Sequence, residues 1–153
     1  MKEGKVFCFH HGWHFLLADE FPMQKALEKH KDKNGRCFYE LDYIEENWES
    51  VTLPHTFNDT DLFRDRIKDA GSGQKRTAVF YRNYLTVPKE YCGQKVLIEF
   101  EGIRQTCYLY VNGKMVGYVE NGVAPFGFDL TPFIDYDEPN LIAVATDNTA
   151  TRE

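Results

Sequence analysis

Residues 106–120, TCYLYVNGKMVGYVE, are the stretch on which the fold turns. Two short runs, 106–111 and 115–120, flank Asn112-Gly113. An Asn-Gly pair accepts the positive φ that a type I′ turn needs at both central positions, and the twist of that turn matches two antiparallel strands. The stretch therefore reads as a β-hairpin. In its first strand Cys107, Leu109 and Val111 alternate with Tyr108 and Tyr110, so the two sets face opposite sides of a sheet.

On both sides of the hairpin, short apolar runs are separated by turn residues, the spacing of a sandwich or barrel. Residues 78–87 are rich in Tyr, Phe and Val and stop at Pro88, which has no N–H to give to a ladder. In residues 95–101, Val96, Ile98 and Phe100 share one face while Glu99 and Glu101 take the other, the pattern of a half-buried strand. Residues 126–130 form another strand; Thr131-Pro132 after it predicts an N-cap with proline at the first helical position, and one short turn through Phe133 and Ile134. Residues 140–147 are apolar on both faces, which predicts a central strand. The N-terminal half holds one helix, capped by Asp19, with Met23, Ala26, Leu27 and His30 at i, i+3, i+4 and i+7 before Asn34-Gly35. It reads as an insertion between strands. Residues 64–77 alternate in charge around Gly71-Ser72-Gly73 and read as a long loop.

The chain has 153 residues, 42% hydrophobic and 27% charged, enough for one domain with a packed core. Its formal charge of −6 argues against a nucleic-acid partner, since displacing counterions from phosphates takes clustered Lys and Arg. Residues 1–14 lack a clean apolar core because His10, His11, Gly12 and His14 interrupt it, and no run is long enough to cross a membrane. A cytoplasmic location is expected, or an exported one if a signal has been removed, with no membrane partner. Cys8, Cys37, Cys92 and Cys107 are far apart and without zinc spacing, so they read as reduced thiols.

The search for chemistry is mostly negative. His10, His11 and His14 lack a completing ligand at recognisable spacing. Residues 58–61, Asn-Asp-Thr-Asp, open like a calcium loop but lack its glycine and its closing glutamate. There is no GxSxG, no GxxxxGK[ST] and no GxGxxG. No catalytic pair is assignable, and neither a metal nor a cofactor is expected. Aromatic side chains suit the apolar face of a sugar ring; most belong in a core, with Tyr108 and Tyr110 the best exceptions.

The ordered motifs nevertheless resemble a known family. Gly12-Trp13-His14-Phe15, the run from Asn47-Trp48 to Leu53-Pro54-His55, Phe80-Tyr81-Arg82 and Phe100-Glu101-Gly102-Ile103 come first. Tyr110-Val111-Asn112-Gly113-Lys114, Pro125-Phe126-Gly127-Phe128-Asp129-Leu130-Thr131 and Asn140-Leu141-Ile142-Ala143-Val144 follow. Together they resemble the N-terminal sugar-binding domain of glycoside hydrolase family 2, which holds β-galactosidases, β-glucuronidases and β-mannosidases. The resemblance implies an all-β, jelly-roll (galactose-binding-like) β-sandwich with one short helical insertion. It implies one domain over residues 1–153, an N-terminal fragment of a larger hydrolase of β-galactosidase type. The catalytic (β/α)8 barrel with its two glutamates is absent from these residues, so the fragment alone is expected to be inactive. The partners implied are carbohydrate and that barrel. The alternative is a stand-alone carbohydrate-binding or protein-interaction sandwich. For contact with sugar the loop after Pro54 is the best source, through His55, Asn58 and Asp59.

Overall fold

The computed structural model describes residues 9, 11–18, 22–51, 78–100, 106–120 and 126–147. Among them are eight strands: β1 (Trp13–Leu17), β2 (Glu49–Val51), β3 (Ala78–Thr86), β4 (Leu97–Phe100), β5 (Thr106–Val111), β6 (Lys114–Glu120), β7 (Phe126–Asp129) and β8 (Pro139–Asp147). One antiparallel sheet runs β2-β1-β3-β8-β5-β6, and β4 and β7 form a second. The arrangement is an all-β sandwich. As its two apolar faces predict, β8 lies in the middle, laddered to β3 on one side and β5 on the other.

The sandwich interior is built by period-2 alternation. Val79, Tyr81, Cys107, Leu109, Val111, Ile142 and Val144 of the large sheet meet Ile98, Phe100 and Phe128 of the small one. The other face of the large sheet is apolar as well, with Phe80, Tyr110, Ala143 and Ala145. The helix α1 (Met23–Lys29) and the segment after it cover that face through Met23, Ala26, Phe38 and Tyr43. This explains the helical insertion: a sheet apolar on both sides needs a second cover. Alanines at 143 and 145 leave room for aromatic rings, and Phe38 stacks on Phe80 at 4.3 Å and 8°.

The hairpin turn forms as expected, with φ of 52° at Asn112 and 87° at Gly113. Its strands are less regular than the sequence suggests. Leu109 faces Gly117 while Tyr110 faces Met115, so Val116 is an extra residue in β6. Gly117 is required there, because a Cβ would stand 2.4 Å from Cε1 of Phe128.

Two expected caps are replaced. The residue capping α1 is Pro22, whose carbonyl accepts from the N–H groups of Lys25 and Ala26; Asp19 lies outside the described residues. Thr131 is not the cap of the turn Thr131–Phe133 but its first residue. Its hydroxyl instead accepts from the Val96 N–H at 2.8 Å, and Asp129 takes the capping role by accepting from the Thr131 N–H at 3.0 Å. Hydrogen bonds from the Thr131 hydroxyl, which contributes most, and from the Thr131 N–H hold the Asp129 carboxyl below its ordinary value.

Asn140 closes one end of the molecule. Fully buried, it donates through Nδ2 to the carbonyls of Leu85, Asp135 and Glu138 and accepts from Asn112 Nδ2 and the Asp135 N–H. Asn112 in turn donates to the Phe133 carbonyl and accepts from the Leu141 N–H. The two amides thereby join the hairpin turn, the end of β3, the turn after β7 and the start of β8.

Candidate functional site

His55, Asn58 and Asp59, the residues expected to meet sugar, lie outside the described residues, as does the loop 64–77. The positions flanking their segment are defined. Val51 pairs with Trp13 at one end of β1, and Ala78 accepts from the Ala18 N–H at the other. The segment's two ends are therefore separated by the length of β1.

The polar and aromatic side chains that the structure does bring together lie on the outer face of the large sheet. Arg82 follows Phe80 by two on β3 and so points the same way, into the layer beneath residues 38–48. It is only 2% exposed. Nη1 donates to Glu45 Oε2 at 2.8 Å, Nη2 to the Glu40 carbonyl at 3.3 Å, and the guanidinium lies over the Tyr43 ring, 5.1 Å from its centroid. Nε is buried without an acceptor. The second oxygen of Glu45 accepts from Nδ1 of His14 on β1 at 2.6 Å, which places the proton on that nitrogen. Both carboxylate oxygens are thus committed, and the cluster ties β1, β3 and the covering segment. Its chemistry is that of a structural charge pair, not of a general acid or base, which must hold or release a proton toward substrate.

Beside it the aromatic layer continues. Tyr39 stacks on Tyr110 at 4.1 Å and 7°, Phe38 meets Tyr110 edge-on at 5.8 Å, and Tyr108 faces Tyr118 at 4.8 Å. Tyr108 and Tyr110 do lie opposite the Cys107, Leu109, Val111 face, as the alternation requires. Burial first, then the neighbouring Tyr39, Tyr108 and Cys37, pushes the Tyr110 phenol up to about 12. In the interior, burial pushes the Cys107 thiol up to about 12, which removes it as a nucleophile. Cys37, Cys92 and Cys107 are all free thiols. His14 is bonded to Glu45 and His10 lies outside the described residues; among the described residues no three His, Cys, Asp or Glu side chains group around a space for a metal ion.

The sequence did not reveal the roles of Arg82, Glu45 and Asn140. The available signal for Arg82 was its placement: a charge two residues from Phe80 on the same face of a strand rich in apolar residues needs a partner if that face is covered. For Asn140 the signal was incomplete, because besides nearby Asp135 and Glu138 its partners are Leu85 on β3 and Asn112 in the hairpin turn, 55 and 28 residues away.

Comparison with known proteins gives the site its context. The family description "Glycosyl hydrolases family 2, sugar binding domain" matches residues 38–149. A β-glucuronidase of Formosa agariphila is 43% identical over 118 residues, covering 75% of this chain and 12% of the relative. A β-galactosidase of Thermoanaerobacter pseudethanolicus is 38% identical over 111 residues, covering 72% of this chain and 14% of that protein. Among solved structures, a family 2 β-glucuronidase superposes with a TM-score of 0.67 at 35% identity, over 95% of this chain and 14% of its own. The Bacteroides uniformis β-glucuronidase gives 0.67 at 26% identity, over 94% and 14%. The chain spans about one eighth of the length of these relatives. With the family description matched over most of its length and the sandwich shared with those structures, the chain belongs to glycoside hydrolase family 2, as its sugar-binding domain.

Proposed function

We propose that the chain is the non-catalytic N-terminal sandwich of a larger retaining hydrolase that removes a terminal β-linked sugar, the two reacting glutamates being carried on a barrel outside these residues. The match of residues 38–149 to the sugar-binding domain supports this reading best. A β-glucuronidase type is favoured by the relative at 43% identity. The β-galactosidase type, which the sequence motifs suggested, is the second reading and draws on the relative at 38%. In this reading His55, Asn58 and Asp59 reach the rim of the sugar pocket from the loop after β2.

The test is hydrolysis of p-nitrophenyl β-D-glucuronide and p-nitrophenyl β-D-galactoside by the full-length enzyme and by the 153-residue chain. The expected result is cleavage of the glucuronide by the long form and of neither substrate by the short one. Turnover by the 153-residue chain overturns the non-catalytic assignment, and a preference for galactoside selects the second type. Alanine at 55, 58 or 59 in the long form should raise KM more than it lowers kcat.

A further inference from the structure

We propose that Asn34-Gly35 is a self-modifying site, at which the asparagine amide is lost as ammonia and aspartate or isoaspartate is left in the chain. The inference is independent of the glycoside that the larger enzyme cleaves. Asparagine is a thermolabile residue, and the sequence holds three Asn-Gly pairs, at 34–35, 112–113 and 121–122. The third lies outside the described residues. In such a pair the backbone nitrogen of the glycine attacks Cγ of the asparagine. An N–Cγ bond forms and the Cγ–Nδ2 bond breaks; the glycine's proton passes through solvent to Nδ2, which leaves as ammonia. Water then adds to one or the other carbonyl of the cyclic imide and reopens it as aspartate or isoaspartate. The reaction asks for a side-chain amide that is free to turn and an attacking nitrogen with open space around it.

Asn34 meets both conditions and Asn112 does not. Asn34 and Gly35 are exposed, and no side-chain hydrogen bond holds the Asn34 amide among the described residues. No atom lies within 4 Å of where a Cβ on Gly35 would stand. At Asn112, Oδ1 accepts from the Leu141 N–H at 2.9 Å, and Nδ2 donates to Asn140 Oδ1 at 2.8 Å and to the Phe133 carbonyl at 3.2 Å. Losing Nδ2 there would set a carboxylate against the Asn140 oxygen, two acceptors with no hydrogen between them. What restrains Asn34 is Asp32. The Gly35 N–H donates to the Asp32 carbonyl at 2.9 Å and closes a turn with Asn34 inside it, so that bond opens before attack. The Asp32 carboxylate keeps the turn shut: Oδ1 accepts from the N–H groups of Asn34 and Arg36, both at 2.9 Å, and Oδ2 from that of Ile44 at 2.8 Å. The product acts back on the turn. A new carboxylate two residues from Asp32 repels it, and isoaspartate adds a carbon to the main chain between Asp32 and Arg36, which bond N–H to carbonyl at 3.0 Å. The segment that lays Phe38 and Tyr43 over the large sheet is thereby loosened, in one direction only.

The experiment holds the 153-residue chain and its Asp32→Ala and Asn34→Gln variants in mildly alkaline buffer, folded and in urea. Samples taken over time are read by peptide mass mapping and by isoaspartyl methyltransferase labelling, with circular dichroism to confirm the fold. In the folded chain Asn34 should convert more than about tenfold faster than Asn112, given the side-chain bonds that hold Asn112, and in urea the two rates should become comparable. Asp32→Ala should speed conversion at 34 about threefold or more, since the turn then opens without breaking the carboxylate bonds. Asn34→Gln should leave position 34 unmodified. The proposal is overturned if Asn34 keeps its amide in the folded chain while converting in urea, if Asn112 converts as fast as Asn34 in the folded chain, or if folded Asp32→Ala leaves the rate at 34 unchanged. The comparison of 34 with 112 needs no variant, so it decides even where a substitution unfolds the chain. Because the readout is the chain's own covalent state, the hydrolysis result and this one stand or fall separately.

Discussion

Replacing Asn140 with alanine removes five hydrogen bonds at once, all in a site closed to water. The Asp135 N–H is left with no acceptor from this side chain, and Asn112 Nδ2 keeps only the Phe133 carbonyl at 3.2 Å. A buried donor without a partner costs about 1–3 kcal/mol. The three carbonyls cost less each, having shared two amide hydrogens among them, and the emptied volume adds a cavity term. The total is about 3–5 kcal/mol, a fifth or more of the ~5–15 kcal/mol that holds a domain together. At ~2–4 °C per kcal/mol for a chain of this size, Tm should fall by about 6–20 °C. Urea and thermal unfolding followed by far-ultraviolet circular dichroism measure both quantities. A loss below about 1 kcal/mol with an unchanged m value would refute the reasoning, because the network would then be replaced by water at no cost.

Other perturbations probe different layers. Glu45→Ala strips the buried Arg82 of its counter-charge and should cost about 3–5 kcal/mol, while Arg82→Met combined with Glu45→Gln recovers most of it, as chemical denaturation of the two variants beside the parent chain will reveal. Gly117→Ala drives a methyl into the Phe128 ring and should cost about 1–3 kcal/mol, relieved by Phe128→Leu in a double-mutant cycle. Asp129 is held below its ordinary value of 3.8 by Thr131; for Asp32 desolvation is the largest single effect and pushes upward, but the N–H groups of Arg36, Ile44 and Asn34 together with the Arg36 charge outweigh it and hold the carboxyl low. Both folded values lie below the unfolded ones, so their support is complete above about pH 5 and is lost as pH falls through the region below 3.8; an acid titration of stability should be flat from neutral to about pH 5 and then decline. Iodoacetamide at neutral pH should label exposed Cys92 and spare Cys107 until the chain unfolds, as peptide mass mapping will determine.

Most of the fold was legible because its signals are local. Asn112-Gly113 specified its own turn, Pro88 ended β3, and the doubly apolar run in β8 declared a central position. What escaped was non-local. The extra residue at Val116 has no local signal, and the glycine next to it answers to Phe128 on the other sheet. Thr131 looked like a cap until its hydroxyl found Val96, which lies 35 residues earlier. The Arg82–Glu45 pair spans 37 residues, and only the folded chain shows that the charge is covered. As for the expected sugar contacts at His55, Asn58 and Asp59, loop polarity could propose them but no periodicity could position them.

The two ends of the large sheet are made differently. At one margin the paired asparagines cross-stitch four elements. At the other, β3 begins at Ala78, β5 begins at Thr106, β6 ends at Glu120 and β8 ends at Asp147, all in one register row. Chain can be lengthened or exchanged between strands along that second margin without any ladder bond being given up. A protein engineer grafting a new recognition loop should therefore choose that side and leave the stitched margin intact.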